Sequence, residues 1–403
     1  MIAKVRDNIK HWFDSKQYNW KRYDIGLILV VLALSLISSY ILSVIDLPNS
    51  NIGSFKRQFV TICLGLFIVL IFSLIDYHTL CMYVPILYII TTIMVACTKL
   101  SPLGDNGGTD SYRWLDFKII KVQPSELCKI VIILSLAAFF VYSKDKLQSF
   151  KTFFLACAIA LVPTFFVLIQ SDLSSSVVIM MVFITILVSS GMGRKVLGPV
   201  VAVLVPIGAF LVWYIQQPGQ KLLKDYQLRR ITGFLNPESE ALGIMYQQNN
   251  SVLSIASGRL YGKSMMENAT EGRNYQAVDV IESDFIWTPI SEEFGFIGCM
   301  VVLALLSVII IKCFIAARHA KDYLGMLIAL GIGSMFCFQI FFNIGVATSI
   351  LPNTGLPLPF LSNGLSSLMG SSMAIGILIN IGIQPNRGST GSFVDSLMMK
   401  NYY

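Results

Sequence analysis

The residues of this chain that could do chemistry are polar groups placed where the surrounding sequence is apolar. Arg113, Lys118 and Lys121 lie within nine residues of one another, beside Trp114, and Gln123-Pro124-Ser125-Glu126 and Lys129 follow at once. Arginine offers a planar fork and lysine a compact charge, so such a cluster suits a phosphate or pyrophosphate. The competing reading is that flanking cations snorkel toward water; spacing leaves both open for Arg113 and Lys121. Glu126 and Lys129, three apart, share one helix face and can pair. Inside an apolar run they point to a polar network or a functional site.

A second constellation is Glu282-Ser283-Asp284, followed by Pro289, Glu292 and Glu293. Asp284 falls where a long polar segment meets an apolar run. A carboxylate at such a mouth is partly desolvated, which raises its pKa, and it can act as general base toward a sugar hydroxyl. The alternative is that Ser283 or Asp284 caps a helix. Glu292 and Glu293 lie deeper and cannot both face lipid cheaply. Asp172, in the turn Gln170-Ser171-Asp172, reads by default as a helix cap. His11, His78 and His319 fit no metal-ligand spacing, and there is no GxSxG, so zinc chemistry and a Ser/His/Asp hydrolase are disfavoured. The eight cysteines lie in or beside apolar runs without a CxxC pair, which reads as packing.

The elements that must position these groups are membrane helices. Hydrophobic residues make up 55% of 403 positions and charged residues 13%, and the mean hydropathy is +0.69. Soluble domains carry roughly 25% charged residues; this chain could not cover a water-facing surface. Apolar runs near 24–45, 58–75, 80–98, 123–142, 152–170, 173–190, 196–216, 286–311, 324–348 and 365–383 approach the ~20 residues that cross a bilayer. The expected fold is all-α: a polytopic membrane protein with about ten transmembrane helices. The short loops and termini on one side hold sixteen Lys and Arg, against six on the other, which places both termini in the cytoplasm. The start is polar and basic and its first apolar run is full-length, so it reads as a signal anchor. The net charge of +7 suggests anionic lipid and not nucleic acid as a partner.

Three expected domains follow: a cytoplasmic segment 1–23, a transmembrane domain 24–383, and a tail 384–403 without fixed structure. Within the second, 217–285 forms a large extracellular loop between helices 7 and 8. It contains YQQNNSVLSIASGRLYGKSM, a short amphipathic helix ending in glycine turns. The segment 99–122 reads as a flexible turn. The apolar but proline-rich 349–364 reads as a re-entrant loop packed against protein.

Five stretches in order carry a resemblance: RWLDFKIIKVQPSELCK (113–129), QSDLSSS (170–176), YQQNNSVLSIASGRLYGKS (246–264), ESDFIWTPISEEFGFIG (282–298) and LPNTGLPLPFLSNGLSSL (351–368). The chain resembles the RodA/FtsW/SpoVE (SEDS) family, with PLPF leaning toward RodA-type members. Members polymerise the lipid-linked disaccharide lipid II at the outer face of the bacterial cytoplasmic membrane, with a class B penicillin-binding transpeptidase as partner. The resemblance implies inverting transfer with β-1,4 linkage, for cell shape, division or sporulation. It places the essential aspartate on Asp284, the conserved arginine on Arg113 and the basic residue before QPSE on Lys121. Gln123, Glu126, Lys129, Glu292 and Ser362 complete the substrate-binding candidates. It implies a divalent cation (Mg or Mn) with no assigned ligands, and no organic cofactor. The sequence departs from the family at Ser171 and Ser174, Arg259, Val280, Asn363 and Leu365. A precursor flippase and a non-catalytic scaffold for the transpeptidase are the alternative readings.

Overall fold

A computed structural model describes residues 18–46, 53–105, 112–118, 121–215, 217, 233–234, 245–265 and 272–384. The expectations for 1–17, for most of 217–244 and for the tail from 385 lie outside the described residues.

The apolar runs become helices because a backbone surrounded by apolar groups must bond within its own segment. They are α1 (Ile25–Asp46), α2 (Gly53–Leu74), a short α3 (Tyr77–Met82), α4 (Val84–Leu100), α5 (Pro124–Tyr142), α6 (Phe150–Ile169), α7 (Leu173–Ser189) and α8 (Arg194–Ile215). Then come α9 (Tyr246–Ser257), α10 (Trp287–His319), α11 (Tyr323–Ala347) and α12 (Leu365–Ile383). Among the described residues, seven segments are long and apolar enough to cross a membrane: Trp20–Ile45, α5, α6, α8, α10, α11 and α12. Gln58–Leu74, α4 and α7 are shorter apolar helices. Of the seven, α5, α11 and α12 are the most buried and α8 the least, so the first three form the inside of the bundle. Pro124 opens α5 at a position where a missing N–H is harmless. α2 packs closely on α12, where Gly65 lies against Leu368 and Ser372, and Gly376 against Phe72.

Two features differ from the expectation. First, the fold is helical but not wholly so. The segment expected as a flexible turn holds a three-stranded antiparallel sheet: β1 (Gly104–Asp105), β2 (Trp114–Asp116) and β3 (Lys121–Val122), in that order. Its register sets Asp116 opposite Lys121, an opposite-charge pair that favours the pairing. Second, the eighth apolar run is broken. Gly295 has φ 65° and ψ −167° inside α10. The break frees the amides of Phe296 and Ile297, which donate to the carbonyls of Arg259 and Leu260 at 2.9 and 3.1 Å. The GRLYGK turn therefore docks backbone to backbone on the break. A Cβ at Gly258 would lie 2.1 Å from the Ser291 carbonyl, and one at Gly262 (φ +83°) 2.0 Å from that of Glu293. Only glycine fits that approach.

At the far end of α10 from Gly295, a cluster of polar side chains ties three helices. His78 Nδ1 lies 2.7 Å from an Asp76 carboxylate oxygen, and its Nε2 contacts Asp322. Asp322 also accepts from the Tyr77 hydroxyl (2.8 Å) and caps α11 through the Gly325 amide (2.7 Å). Asn380 and Gln384 bond Tyr77 and Asp76 from α12 and its end.

Burial alone would lower the pKa of His78, but hydrogen bonds and charges from Asp322 and Asp76 outweigh it and push it up to about 9. A histidine pKa raised above its unfolded value near ~6.5 adds stability that is complete below that pH and lost as pH rises through the folded value. The unfolding temperature of detergent-solubilised protein is expected to fall between pH 6.5 and about 9. His78→Gln should be less stable at pH 6 and should flatten that slope. An equally steep slope in the variant would remove His78 as its source.

Candidate active site

The site is assembled from irregular backbone at the end of the bundle where α10 begins. Asp284 lies in the turns of 279–286, immediately before α10. The residue at the head of α10 is Ile286, and no side chain caps the helix. Asp284 is thus not spent as a cap. Its main chain is held instead: Asn343 of α11 donates from Nδ2 to the Asp284 carbonyl at 2.9 Å and to the Leu356 carbonyl at 2.6 Å. One buried amide thereby fixes the aspartate turn to the 349–364 segment. Ser283 donates from Oγ to Asp284 Oδ1 at 3.2 Å.

Arg113 comes from the residue before β2, whose Leu115 is buried. Its Nη2 donates to the Ser171 carbonyl at 3.2 Å. Its Nε is buried and has no acceptor among the described residues, a donor available to an anion. The two groups meet at Gly355. A Cβ built on Gly355 would lie 2.9 Å from Asp284 Oδ2 and 3.5 Å from Arg113 Nη1. Gly355 has φ +70°, a region that other residues enter only with strain. A carboxylate and a guanidinium thus converge over a bare glycine.

The other candidates are placed as follows. Lys121 is exposed and pairs with Asp105 and, at 3.8 Å, with Asp116. The Asp105 hydrogen bond, then its charge, raises the Lys121 pKa. Lys121 therefore belongs to the small sheet, where its ion pairs among the described residues are with Asp105 and Asp116. Glu126 and Lys129 pair at 2.8 Å and are both buried in α5, beside Gly370 of α12. The backbone amide of Gln123 donates to Ser366 Oγ at 2.9 Å. Ser362 accepts from the Leu358 amide at 2.8 Å and donates to the Ser283 carbonyl; it holds the Asp284 turn and the 349–364 segment together. Asp172 caps α7 through the Ser175 amide at 3.1 Å.

Glu292 is fully buried. Lys263 contacts it at 2.5 Å, the amides of Asn274 and Tyr275 donate to it at 2.8 and 2.9 Å, and Ser254 donates a further bond. Glu293 binds Arg273 at 2.6 Å and the Tyr275 hydroxyl at 3.2 Å. These two carboxylates fasten the described part of the large loop to α10. α9 joins them with a buried face that is polar: Gln248, Ser251 and Ser254. Gln248 donates to the carbonyls of Val346 and Leu351 at 3.0 and 2.8 Å.

Sequence reasoning did not single out Asn343, Gly355, Lys263 or Arg273. Asn343 carried a usable signal, an amide inside an otherwise apolar run, where it is costly unless bonded. Gly355 carried none, since its value lies in what two distant segments bring to it. Among the described residues no group of three or more His, Cys, Asp or Glu side chains is placed to hold a metal ion. A protein-only metal cage is therefore not formed by them. The donor set still fits Mg²⁺, which is held through one or two carboxylates plus substrate phosphates.

A family model described as cell cycle protein, covering FtsW, RodA and SpoVE, matches residues 22–387. The peptidoglycan glycosyltransferase MrdB of Escherichia coli K12 is 29% identical over 368 residues, covering 91% of this chain and 96% of that protein. Stage V sporulation protein E of Bacillus subtilis 168 is 30% identical over 365 residues, covering 88% and 94%. A chain from a peptidoglycan synthase complex that coordinates polymerization and crosslinking shares the fold with a TM-score of 0.70 at 22% identity, covering 89% of this chain and 97% of that one. The rod shape determining protein RodA of Thermus thermophilus does so with a TM-score of 0.61 at 21% identity, covering 90% and 98%.

The loop anchor gives a stability prediction. Glu292→Ala would strand Lys263 and two amides, and removing one partner of a buried pair costs about 3–5 kcal/mol. The unfolding temperature should drop clearly, with earlier proteolytic cleavage between residues 258 and 277. Lys121→Ala, which removes an exposed pair, should leave the unfolding temperature nearly unchanged. Equal effects of the two substitutions would refute the anchor.

Proposed function

The chain belongs to the FtsW/RodA/SpoVE family, and from that premise we propose that it is a peptidoglycan glycosyltransferase that polymerises lipid II into β-1,4-linked glycan strands. The observation that carries the reading is the convergence of Asp284 Oδ2 and Arg113 Nη1 on Gly355. Relatives named as peptidoglycan glycosyltransferases support the activity.

In this reading Asp284 takes the proton from the acceptor sugar 4-hydroxyl as that oxygen attacks the donor anomeric carbon. The bond from that carbon to the pyrophosphate breaks in the same displacement, so the configuration inverts. Arg113 offers Nη1 and Nε to the departing pyrophosphate, whose charge grows as the bond lengthens. Lys121, paired with Asp105, braces the small sheet from which Arg113 projects. A divalent cation, when bound, would be held by Asp284 with phosphate oxygens and would neutralise part of the same charge. Glu126 with Lys129, Gln123 and Ser362 support the segments around the site, while apolar grooves between helices receive the polyprenyl tail.

The topology belongs to the same proposal. Ten spans, made of the seven long helices and three shorter ones, put both termini in the cytoplasm and Asp284 at the outer face of the bacterial cytoplasmic membrane. Residues 1–23 and 384–403 flank a single domain, 24–383. A class B penicillin-binding transpeptidase is the proposed partner; the likeness to a chain of a peptidoglycan synthase complex supports it.

Purified protein with labelled lipid II and its partner is expected to form glycan strands, and Asp284→Asn to lower the rate by about 10²-fold or more, within the range of general base catalysis. Gly355→Ala should slow polymerisation by about tenfold or more while leaving lipid II binding within a few fold, because a Cβ there would lie 2.9 Å from Asp284 Oδ2 and push the carboxylate out of place. Polymerisation that survives Asp284→Asn would refute the base assignment. Translocation of lipid II without polymerisation would favour a flippase, and no turnover with an active transpeptidase partner a scaffold.

A further inference from the structure

A second cavity lies at the opposite end of the bundle from Asp284, between the start of α1 and the ends of α10 and α12. Its volume is about 330 Å³, and its lining sets the charged Arg22 and Lys312, with the imidazole of His319, against a single carboxylate, Asp24. Asp24 is already engaged: Lys312 lies 2.7 Å from Oδ2, and Oδ1 accepts from the Leu27 amide at 3.0 Å. Arg22 makes no ion pair with a described residue, and His319 Nδ1 is satisfied by the Ile315 carbonyl at 2.9 Å. The local charge therefore remains positive. Beneath the charges the lining is apolar, from the buried Leu27, Leu378 and Ile379 to the half-exposed Ile315.

An independent feature fixes the depth of this cavity. Trp20 and Tyr23, flanking Arg22, stack at 6.0 Å, and Trp20 is exposed. Such aromatic pairs mark the headgroup level of a bilayer. An apolar floor, a cationic rim and an opening at headgroup depth match an amphiphile with an anionic head. A soluble phosphate would gain nothing from the floor. Basic pockets between transmembrane helices on the cytoplasmic side take such lipids.

We infer that the cavity lined by Arg22, Lys312 and His319 binds an anionic phospholipid of the cytoplasmic leaflet. The inference rests on the proposed orientation but not on the glycosyltransferase reading, since its test measures binding alone. The phosphate of the lipid lies against Arg22 and His319, and its acyl chains run along Ile315 and the exposed face of α1, where Ile25 and Leu29 are uncovered.

The test uses the full chain in nanodiscs of phosphatidylcholine doped with a photoactivatable phosphatidylglycerol, with labelled peptides located by mass spectrometry. Labelling is expected within residues 18–29 and 311–319. Unlabelled phosphatidylglycerol should compete it, and equal amounts of phosphatidylcholine should not. Each Lys or Arg near an anionic surface contributes about fivefold in affinity. Arg22→Gln with His319→Gln should therefore weaken competition by at least that factor, with an unchanged unfolding temperature in a zwitterionic detergent. If the double variant fails to fold, Arg22→Gln alone serves. Labelling equally competed by phosphatidylcholine, or unaffected by the substitutions, would overturn the proposal. Competition by glycerol 3-phosphate as strong as that by the lipid would assign the site to a soluble phosphate ester instead.

Discussion

The structure depends on one constraint: non-helical backbone inside an apolar bundle must find every hydrogen-bond partner within the protein. The active site is built from such backbone, because helices alone present side chains in rows and cannot bring distant segments to a point. Two irregular stretches meet there, 279–286 and 349–364, joined through Asn343, Ser362 and Asn363. Each is bonded from several sides. The 349–364 segment is held through its carbonyls by Gln248, Ser174, Asn343 and Ser38, and through the Asn363 amide on the Glu282 carbonyl at 2.8 Å. Leu358, Phe360 and Leu361 of that segment are buried. The segment is core and not a surface lid.

The charges divide along the same line. Glu126, Glu292 and Glu293 are buried and each faces its own cation, Lys129, Lys263 or Arg273. Burying a charge is tolerable only with such pairing. Asp284 and Arg113 converge on Gly355, while Asn343 and Ser362 hold the Asp284 turn and the Ser171 carbonyl binds Arg113. Such preorganisation lets electrostatic stabilisation act without reorganising the protein during reaction.

The sequence disclosed the helices well, because an apolar run near ~20 residues has few other solutions. The Glu126–Lys129 pair and the Asp172 cap were also readable, since both follow from spacing along one helix. What spacing could not disclose was tertiary. The segment 99–122 looked like a loop from Gly-Asp-Asn-Gly-Gly, yet strands as short as two residues are registered by a cross-strand charge pair. The same pairing engages Lys121 with Asp105 and Asp116. Glu292 read as a ligand candidate because its partners, Lys263 and the amides of 274 and 275, lie in a loop whose fold no local pattern encodes. The break at Gly295 was hidden inside a continuous apolar run. It was legible only by asking why GRLYGK needs two close glycines.

The departures from the family pattern show how much of the site is set by backbone and how little by side-chain identity. Ser171 stands where proline is usual and has φ +64°. A proline ring fixes φ near about −65°, so this turn has a shape that proline could not adopt. The Ser171 carbonyl accepts from Arg113, so the altered turn bears directly on the placement of the guanidinium. Arg259, in place of glycine, has φ +49° and still gives its carbonyl to the Phe296 amide across the break. That contact needs the main chain and tolerates the side chain at a cost in strain of about 1–3 kcal/mol. Asn363, in place of tyrosine, binds the Glu282 carboxylate at 2.8 Å as well as its carbonyl. It thus adds a side-chain tie two residues from Asp284. In each case the changed residue lies on a segment that holds Asp284, Arg113 or the broken helix, and none replaces the groups that meet at Gly355. The variation adjusts the frame around Asp284 and Arg113 and leaves both groups in place.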